Sequence, residues 1–245
     1  MVSTIGMLPW DFKIIYGIIT DTIILPKFEQ SPKRGYIIIW GSIQTVALLL
    51  LAFFELDSYK IFCVLIFTVS LSGAFMDVVI DGLTTIQQRR DPISGSEDLQ
   101  TFQFIGSSIG MMLAATVGST LTQYSDPKNS FFVWAFVGLL VTYFARKMST
   151  NLETISDSDS QNQIETNTRE TFWQRCKKDF NIVKDNLKEK CVWKYYLFFV
   201  INGLKPKFEG MQYILMKEVY QITQVQLGII MVLAASSSLM GLILF

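Results

Sequence analysis

Histidine is absent from all 245 residues, and cysteine occurs only as Cys63, Cys176 and Cys191. Without histidine the chain lacks the commonest metal ligand and the side chain that most readily changes charge near neutral pH. The three cysteines share no paired spacing, so neither a zinc site nor a disulfide framework is expected. Net charge is missing too, with 21 Lys and Arg against 21 Asp and Glu. That balance removes any global electrostatic case for binding nucleic acid. With no histidine and no nucleophile–base arrangement, an enzyme is not expected, and no cofactor or metal is implied. The opening MVSTIGMLPWDF has neither a basic n-region nor a small-residue cleavage pattern, so no signal peptide is read there.

Charge is also missing locally, and that absence sets the class. Gly35 to Phe54 is twenty residues without one charge. Thr101–Ser125, Asn129–Ala145 and Val219–Phe245 are equally bare, and Ile61–Ile86 is interrupted only by Asp77 and Asp81. A bilayer core of about 30 Å takes roughly 20 apolar residues in a helix rising about 1.5 Å each. The mean hydropathy is only +0.35 because residues 149–194 are polar. Five such runs predict an all-α, polytopic, multi-pass integral membrane protein in contact with the lipid bilayer. Two further segments, 4–25 and 195–217, are expected to span despite carrying Asp11, Lys13 and Asp21 in one and Lys205, Lys207 and Glu209 in the other. The organisation expected is a bundle over 1–147, a cytoplasmic linker over 148–194, and the start of a second bundle over 195–245.

Orientation follows from basic residues in alternate loops. The loops at 26–35, 88–100 and 146–194 hold fifteen Lys and Arg, against three (Lys60, Lys128 and Lys217) in the other set. The first set is therefore placed on the cytoplasmic side. Within the linker, Phe172, Cys176, Phe180, Val183 and Leu187 step at helical spacing, with Lys177, Lys178, Lys184 and Lys188 largely off the stripe. An amphipathic helix at about 170–190, lying on the inner leaflet, is the reading.

Charges inside the apolar runs are the candidate functional residues, since each costs about 2.5–3.5 kcal/mol near the bilayer centre. Asp77 and Asp81 are four apart and share one helix face. Two carboxylates there repel, an arrangement suited to taking up a proton, unless Asp81 pairs with Arg89, Arg90 or Lys33. Lys13 lies about 12 Å along a helix from Asp21 and needs a carboxylate partner, from Asp11, from the Asp77–Asp81 pair or from a ligand. In Lys205-Pro206-Lys207-Phe208-Glu209-Gly210, proline breaks the helix and could expose side chains at mid-membrane, or Lys205 and Glu209 could neutralise each other. Gly17, Asp21, Lys33 and Arg34 sit at the cytoplasmic end of a helix and in the basic loop after it. Gly106, Gly110, Ala114 and Gly118, spaced by four, are expected to form a close-packing ridge for another helix.

Several of these residues carry a family resemblance. Gly17-x-x-x-Asp21 followed by Lys33-Arg34 resembles the loop between helices two and three of the major facilitator superfamily. Pro9-Trp10-x-x-Lys13 with Tyr16-Gly17 resembles, more narrowly, helix two of the folate–biopterin transporter family. Met76-Asp77-Val78-Val79-Ile80-Asp81-Gly82 is similar to that family's helix-four motif. Leu99-Gln100-Thr101 is similar to its helix-five entry, Asn202-Gly203-Leu204-x-Pro206-x-Phe208 to its helix-seven break, and Leu227-Gly228 to the opening of helix eight. Ile14 in place of proline, Gln87 in place of an acid and the lack of tryptophan after Thr101 depart from the pattern, and they bear on substrate rather than fold.

The resemblance implies a partial major-facilitator fold of about seven transmembrane helices, two to eight of twelve, and hence a fragment of a longer carrier. It implies alternating-access transport of folate or a pterin, with Lys13 facing the substrate, Asp77 and Asp81 handling a proton, and Lys205 and Glu209 on the opposite bundle. Phe208 would stack on a pterin ring, and Asp21 with Arg34 would latch a cytoplasmic gate that includes Gly17 and Lys33. A carrier of another small solute, and a truncated, non-transporting protein that associates with other membrane helices, stay open beside it.

Overall fold

A computed structural model describes residues 2–23, 25, 28, 31–54, 58–89, 95–148, 177, 193–194, 197–198, 201 and 215–244. Among them are seven α-helices: α1 (Val2–Asp11), α2 (Lys13–Thr22), α3 (Pro32–Phe53), α4 (Tyr59–Gln88), α5 (Gly95–Tyr124), α6 (Lys128–Lys147) and α7 (Gln224–Leu244). No strand occurs among the described residues. The five helices α3 to α7 are long and apolar enough to cross a membrane, which gives the all-α, polytopic architecture that the uncharged runs predict.

The segment expected to span near 4–25 is two ten-residue helices and not one. Pro9 lies inside α1, where it can donate no backbone hydrogen bond. The break falls at Phe12, whose N–H reaches back only to the Pro9 carbonyl at 3.2 Å. Lys13 therefore opens a new helix. The Lys205–Gly210 break and the amphipathic stretch at about 170–190 lie outside the described residues, apart from Lys177.

The chain divides into two units, 1–156 with 223–245, and 157–222. Of the second, the best-described part is a π-helical turn, Leu215–Val219, closed by hydrogen bonds from Tyr220 N to Leu215 O and from Ile222 N to Met216 O.

In the first unit, α3 is the hub, packed on α6 and α4, while α1 and α2 lie along α4 and α5 pairs with α7. The α3–α6 seam is antiparallel and built on reciprocal small-residue contacts. A β-carbon on Gly41 would stand 2.8 Å from Thr142 Oγ1, and one on Gly138 would stand 2.6 Å from Thr45 Oγ1. Each threonine donates its hydroxyl to its own helix, Thr45 to Gly41 O and Thr142 to Gly138 O. The hydroxyl is thereby satisfied without water, as a bilayer requires. Phe53 and Phe132 close the far end of the seam edge to face at 4.8 Å.

Among the described residues, α5 is packed through a face other than the expected ridge. Nothing lies within 4 Å of where a β-carbon on Gly106, Gly110 or Gly118 would stand among the described residues. Instead α5 meets α7 through Ser119, against Gly228, and through Gln123 Oε1, which accepts from Val225 N at 2.8 Å. Met112 Sδ lies 3.9 Å from Ser236 Oγ on the same seam. One step along a helix turns about 100°, so the 112–119–123 stripe faces well away from 106–110–114–118. Repeating small residues mark where a helix can approach closely. They do not decide which face a partner takes.

Candidate functional site

The site forms where α1 and α2 run parallel to α4. Matching residues rise together along this interface: Gly6 beside Ile66, Trp10 beside Ser70 and Gly73, Lys13 beside Asp77, Gly17 beside Val78. Behind them a stack of three rings fixes the helices against one another. Phe75 lies between Tyr16 and Trp40, with both centroid distances 4.2 Å and interplanar angles of 22° and 15°. Stacked aromatic pairs add about 0.5–1.5 kcal/mol beyond the area they bury. The stack joins α2, α3 and α4 two residues from Asp77, so the site's floor is rigid.

On that floor Lys13 and Asp77 form an ion pair, Nζ to Oδ2, with each side chain 36% exposed. A lysine at this depth needs a carboxylate, and of the neighbours considered, Asp77 is the one that supplies it. The pair is open on one side, so a ligand carboxylate could reach the ammonium without the helices separating. Lys13 Nζ also lies 4.5 Å above the centre of the Trp10 ring.

Asp81, one turn further along α4, is exposed, and its Oδ1 accepts from Gln103 Nε2 of α5 at 3.5 Å. Among the described residues it makes no ion pair with Lys33 or Arg89. Asp77 and Asp81 thus share a face as their spacing requires, but only Asp77 meets Lys13.

Gly17, Asp21, Lys33 and Arg34, the residues expected to form a gate, lie on α2 and in the first turn of α3, in an arrangement partly different from the one expected. Asp21 pairs with Lys33 across 3.3 Å. Arg34 turns to the end of α6, where its Nε–H donates to Ala145 O at 3.0 Å and its Nη2 to Arg146 O. The expected Asp21–Arg34 latch is accordingly an Asp21–Lys33 pair beside an arginine cap on α6. Adjacent residues on a helix point about 100° apart, which lets Lys33 reach α2 while Arg34 reaches α6. Gly17 faces Val78 of α4, where a β-carbon would meet the valine at an ordinary contact distance of 3.7 Å. Gly82 leaves the space that the Lys33 ammonium occupies, a role its place in the Met76–Gly82 motif did not disclose.

Lys205, Phe208 and Glu209 lie outside the described residues. A cavity of about 360 Å³ between α3, α4 and α6, lined by Gln44, Leu48, Phe131 and Trp134 among others, shares no residue with the ion pair or the gate. No group of His, Cys, Asp or Glu suited to a metal occurs among the described residues.

The BT1 family matches residues 1–245 of the chain. The Probable folate-biopterin transporter 5 of Arabidopsis thaliana is 28% identical over 252 residues, covering 99% of this chain and 47% of that protein. The Folate-biopterin transporter of Synechocystis sp. is 27% identical over 136 residues, covering 56% of this chain and 27% of the relative. The Probable folate-biopterin transporter 2 of Arabidopsis thaliana is 30% identical over 143 residues, 57% of this chain and 27% of its own length. The chain spans about half or less of the length of these relatives. No solved structure matches it significantly.

Proposed function

This chain belongs to the BT1 family, and on that premise we propose that it is part of a secondary-active carrier for folate- or pterin-type organic anions. The relatives named as folate-biopterin transporters support the substrate class. The single observation that carries the site is the half-open ion pair between Lys13 of α2 and Asp77 of α4, a helix long and apolar enough to cross a membrane.

The chemistry follows from charge balance in a low-dielectric site. Paired with Asp77, Lys13 is neutralised and the site is tolerable without substrate. A substrate carboxylate competes for the ammonium and would leave Asp77 as an unpaired charge. A proton on Asp77 removes that charge, so substrate and proton enter together. Asp81 with Gln103 offers the proton a second carboxylate toward the cytoplasmic end. In the second bundle Lys205, Glu209 and Phe208 are proposed to meet the remaining charge and the pterin ring. Asp21, Lys33, Arg34 and Gly17 are proposed to hold the cytoplasmic gate, and the two bundles then rock about the site.

The test is uptake of labelled folate and labelled biopterin into cells expressing the full gene product. Folate carries glutamate carboxylates and biopterin carries none. Lys13→Met should cut folate uptake about 2- to 10-fold and biopterin uptake much less, because a charge partner that is 36% exposed is worth about 0.5–1.4 kcal/mol. Equal loss for both substrates would remove the anion-binding role from Lys13.

A further inference from the structure

Trp10 is the residue this reading leaves without a task, yet it touches the ion pair and is itself held in place. Its indole Nε1–H donates to Ser70 Oγ at 3.2 Å, and Ser70 in turn donates to the Gly6 carbonyl. Gly6 and Trp10 are one turn apart on α1, so Ser70 of α4 clasps that turn from the side. The ring lies against Gly73 of α4, its Cζ2 3.9 Å from where a β-carbon there would stand, an ordinary contact distance. The ring is thus locked in orientation, 39% exposed, with one face toward the Lys13 ammonium at 4.5 Å. The helix break at Phe12 makes this lock useful. Lys13 begins α2 and does not inherit its position rigidly from α1, while its four-carbon stem is free to swing.

We infer that Trp10 is a positioning residue: its ring is a second seat that keeps the Lys13 ammonium in the site when the pair with Asp77 opens. The inference rests on Lys13 being the group that meets the substrate anion. The two seats differ in one decisive respect. An ion pair cancels the lysine's charge, so a lysine locked to Asp77 offers little to an incoming carboxylate. A ring face attracts the cation through its quadrupole and leaves the net charge intact. An ammonium resting on Trp10 therefore stays in place and stays attractive. The other charged groups on the elements packed here are Asp11 and Lys60, which are exposed, Asp81 against Gln103, the Asp21–Lys33 pair, and Arg34 against the end of α6.

The experiment uses the full gene product in liposomes, with folate and biopterin as probes. Trp10→Leu removes the quadrupole and should raise the KM for folate about 3- to 30-fold while changing the maximal rate less than about twofold and leaving the KM for biopterin unmoved. Trp10→Phe keeps a ring face and should recover most of the affinity. Ser70→Ala, which frees the ring to turn, should fall between wild type and Trp10→Leu. Equal effects on both substrates, or a Trp10→Phe as impaired as Trp10→Leu, would reduce Trp10 to packing and overturn the inference.

A second measurement needs no transport. With Trp40, Trp134, Trp173 and Trp193, and every tryptophan elsewhere in the full gene product, replaced by phenylalanine, Trp10 is the sole indole. Asp77→Asn should shift its emission as the ammonium settles on the ring, and Lys13→Met should abolish the shift. An emission indifferent to Asp77→Asn overturns the second seat even if Lys13 proves to bind folate. A Lys13-dependent shift with no Lys13 effect on folate KM would instead place the failure in the carrier reading.

Discussion

Lys33 and Gly82 occupy one slot: a β-carbon on Gly82 would stand 2.6 Å from the Lys33 ammonium that pairs with Asp21 at 3.3 Å. The glycine of α4 is therefore what lets a cation from α3 reach across to α2. Gly82→Ala should push the ammonium off Asp21 at a cost of no more than about 1 kcal/mol, since only the end of a flexible side chain must move. Thermal unfolding of Gly82→Ala, Lys33→Ala and the double variant checks this. Gly82→Ala should add nothing once Lys33 is alanine, and additive losses would assign the glycine to helix packing.

Arg34 ties the first turn of α3 to the last carbonyls of α6. A cation there also meets the negative end of the α6 dipole. Arg34→Met should cost about 0.5–1.5 kcal/mol through the two lost hydrogen bonds, since Ala145 O keeps its bond from Met148 N. Arg34→Lys keeps the charge but not the fork, and should retain part of it. Hydrogen exchange confined to the last turn of α6 is the readout. Uniform loosening of α3 would point to a different role.

Gly138 and Thr45 leave no room for a methyl group at the centre of the α3–α6 seam. Gly138→Ala is expected to destabilise by about 1–3 kcal/mol through overpacking, and Thr45→Ala in the same chain should restore most of the loss by removing the opposing hydroxyl. The comparison is made by thermal unfolding in matched detergent. A double variant no better than Gly138→Ala would contradict the reciprocal fit.

The turn Asp126–Pro127, where Asp126 accepts from Lys128 N, reverses the chain between α5 and α6. Because α7 is antiparallel to α5, α6 and α7 run in the same direction. Two consecutive spans of one direction require an odd number of crossings between them, as one span at 195–217 would provide. Cysteines placed singly at Met148 and Thr223 should therefore label from opposite sides of the membrane. Labelling of both from one side would exclude that crossing.

The candidate site was partly legible because charges inside apolar runs are conspicuous. Lys13, Asp77 and Asp81 stood out for that reason, and the helical period already put the two aspartates on one face. Which carboxylate Lys13 would meet was not legible, since Asp11, Asp77 and Asp81 all lay within reach. The register of α1–α2 along α4 made that choice. Nor was it legible that Lys33 would pair with Asp21 while Arg34 bonds the end of α6, because only the packing of α3 decides which of two adjacent residues faces α2. The space made by Gly82 and the seat offered by Trp10 have no signature in one dimension.

By itself, the sequence determined the class and the five long spans. These depend on the transfer of uncharged runs into lipid, which is a property of local composition. The tertiary structure alone decided the break at Phe12, the Gly–Thr seam between α3 and α6, the face of α5 that meets α7, and the pairing of each buried charge. Those outcomes depend on how one helix is rotated and registered against its neighbour. In lipid that is settled by close packing and hydrogen bonding between particular side chains, because apolar surface alone gives one helix face no advantage over another.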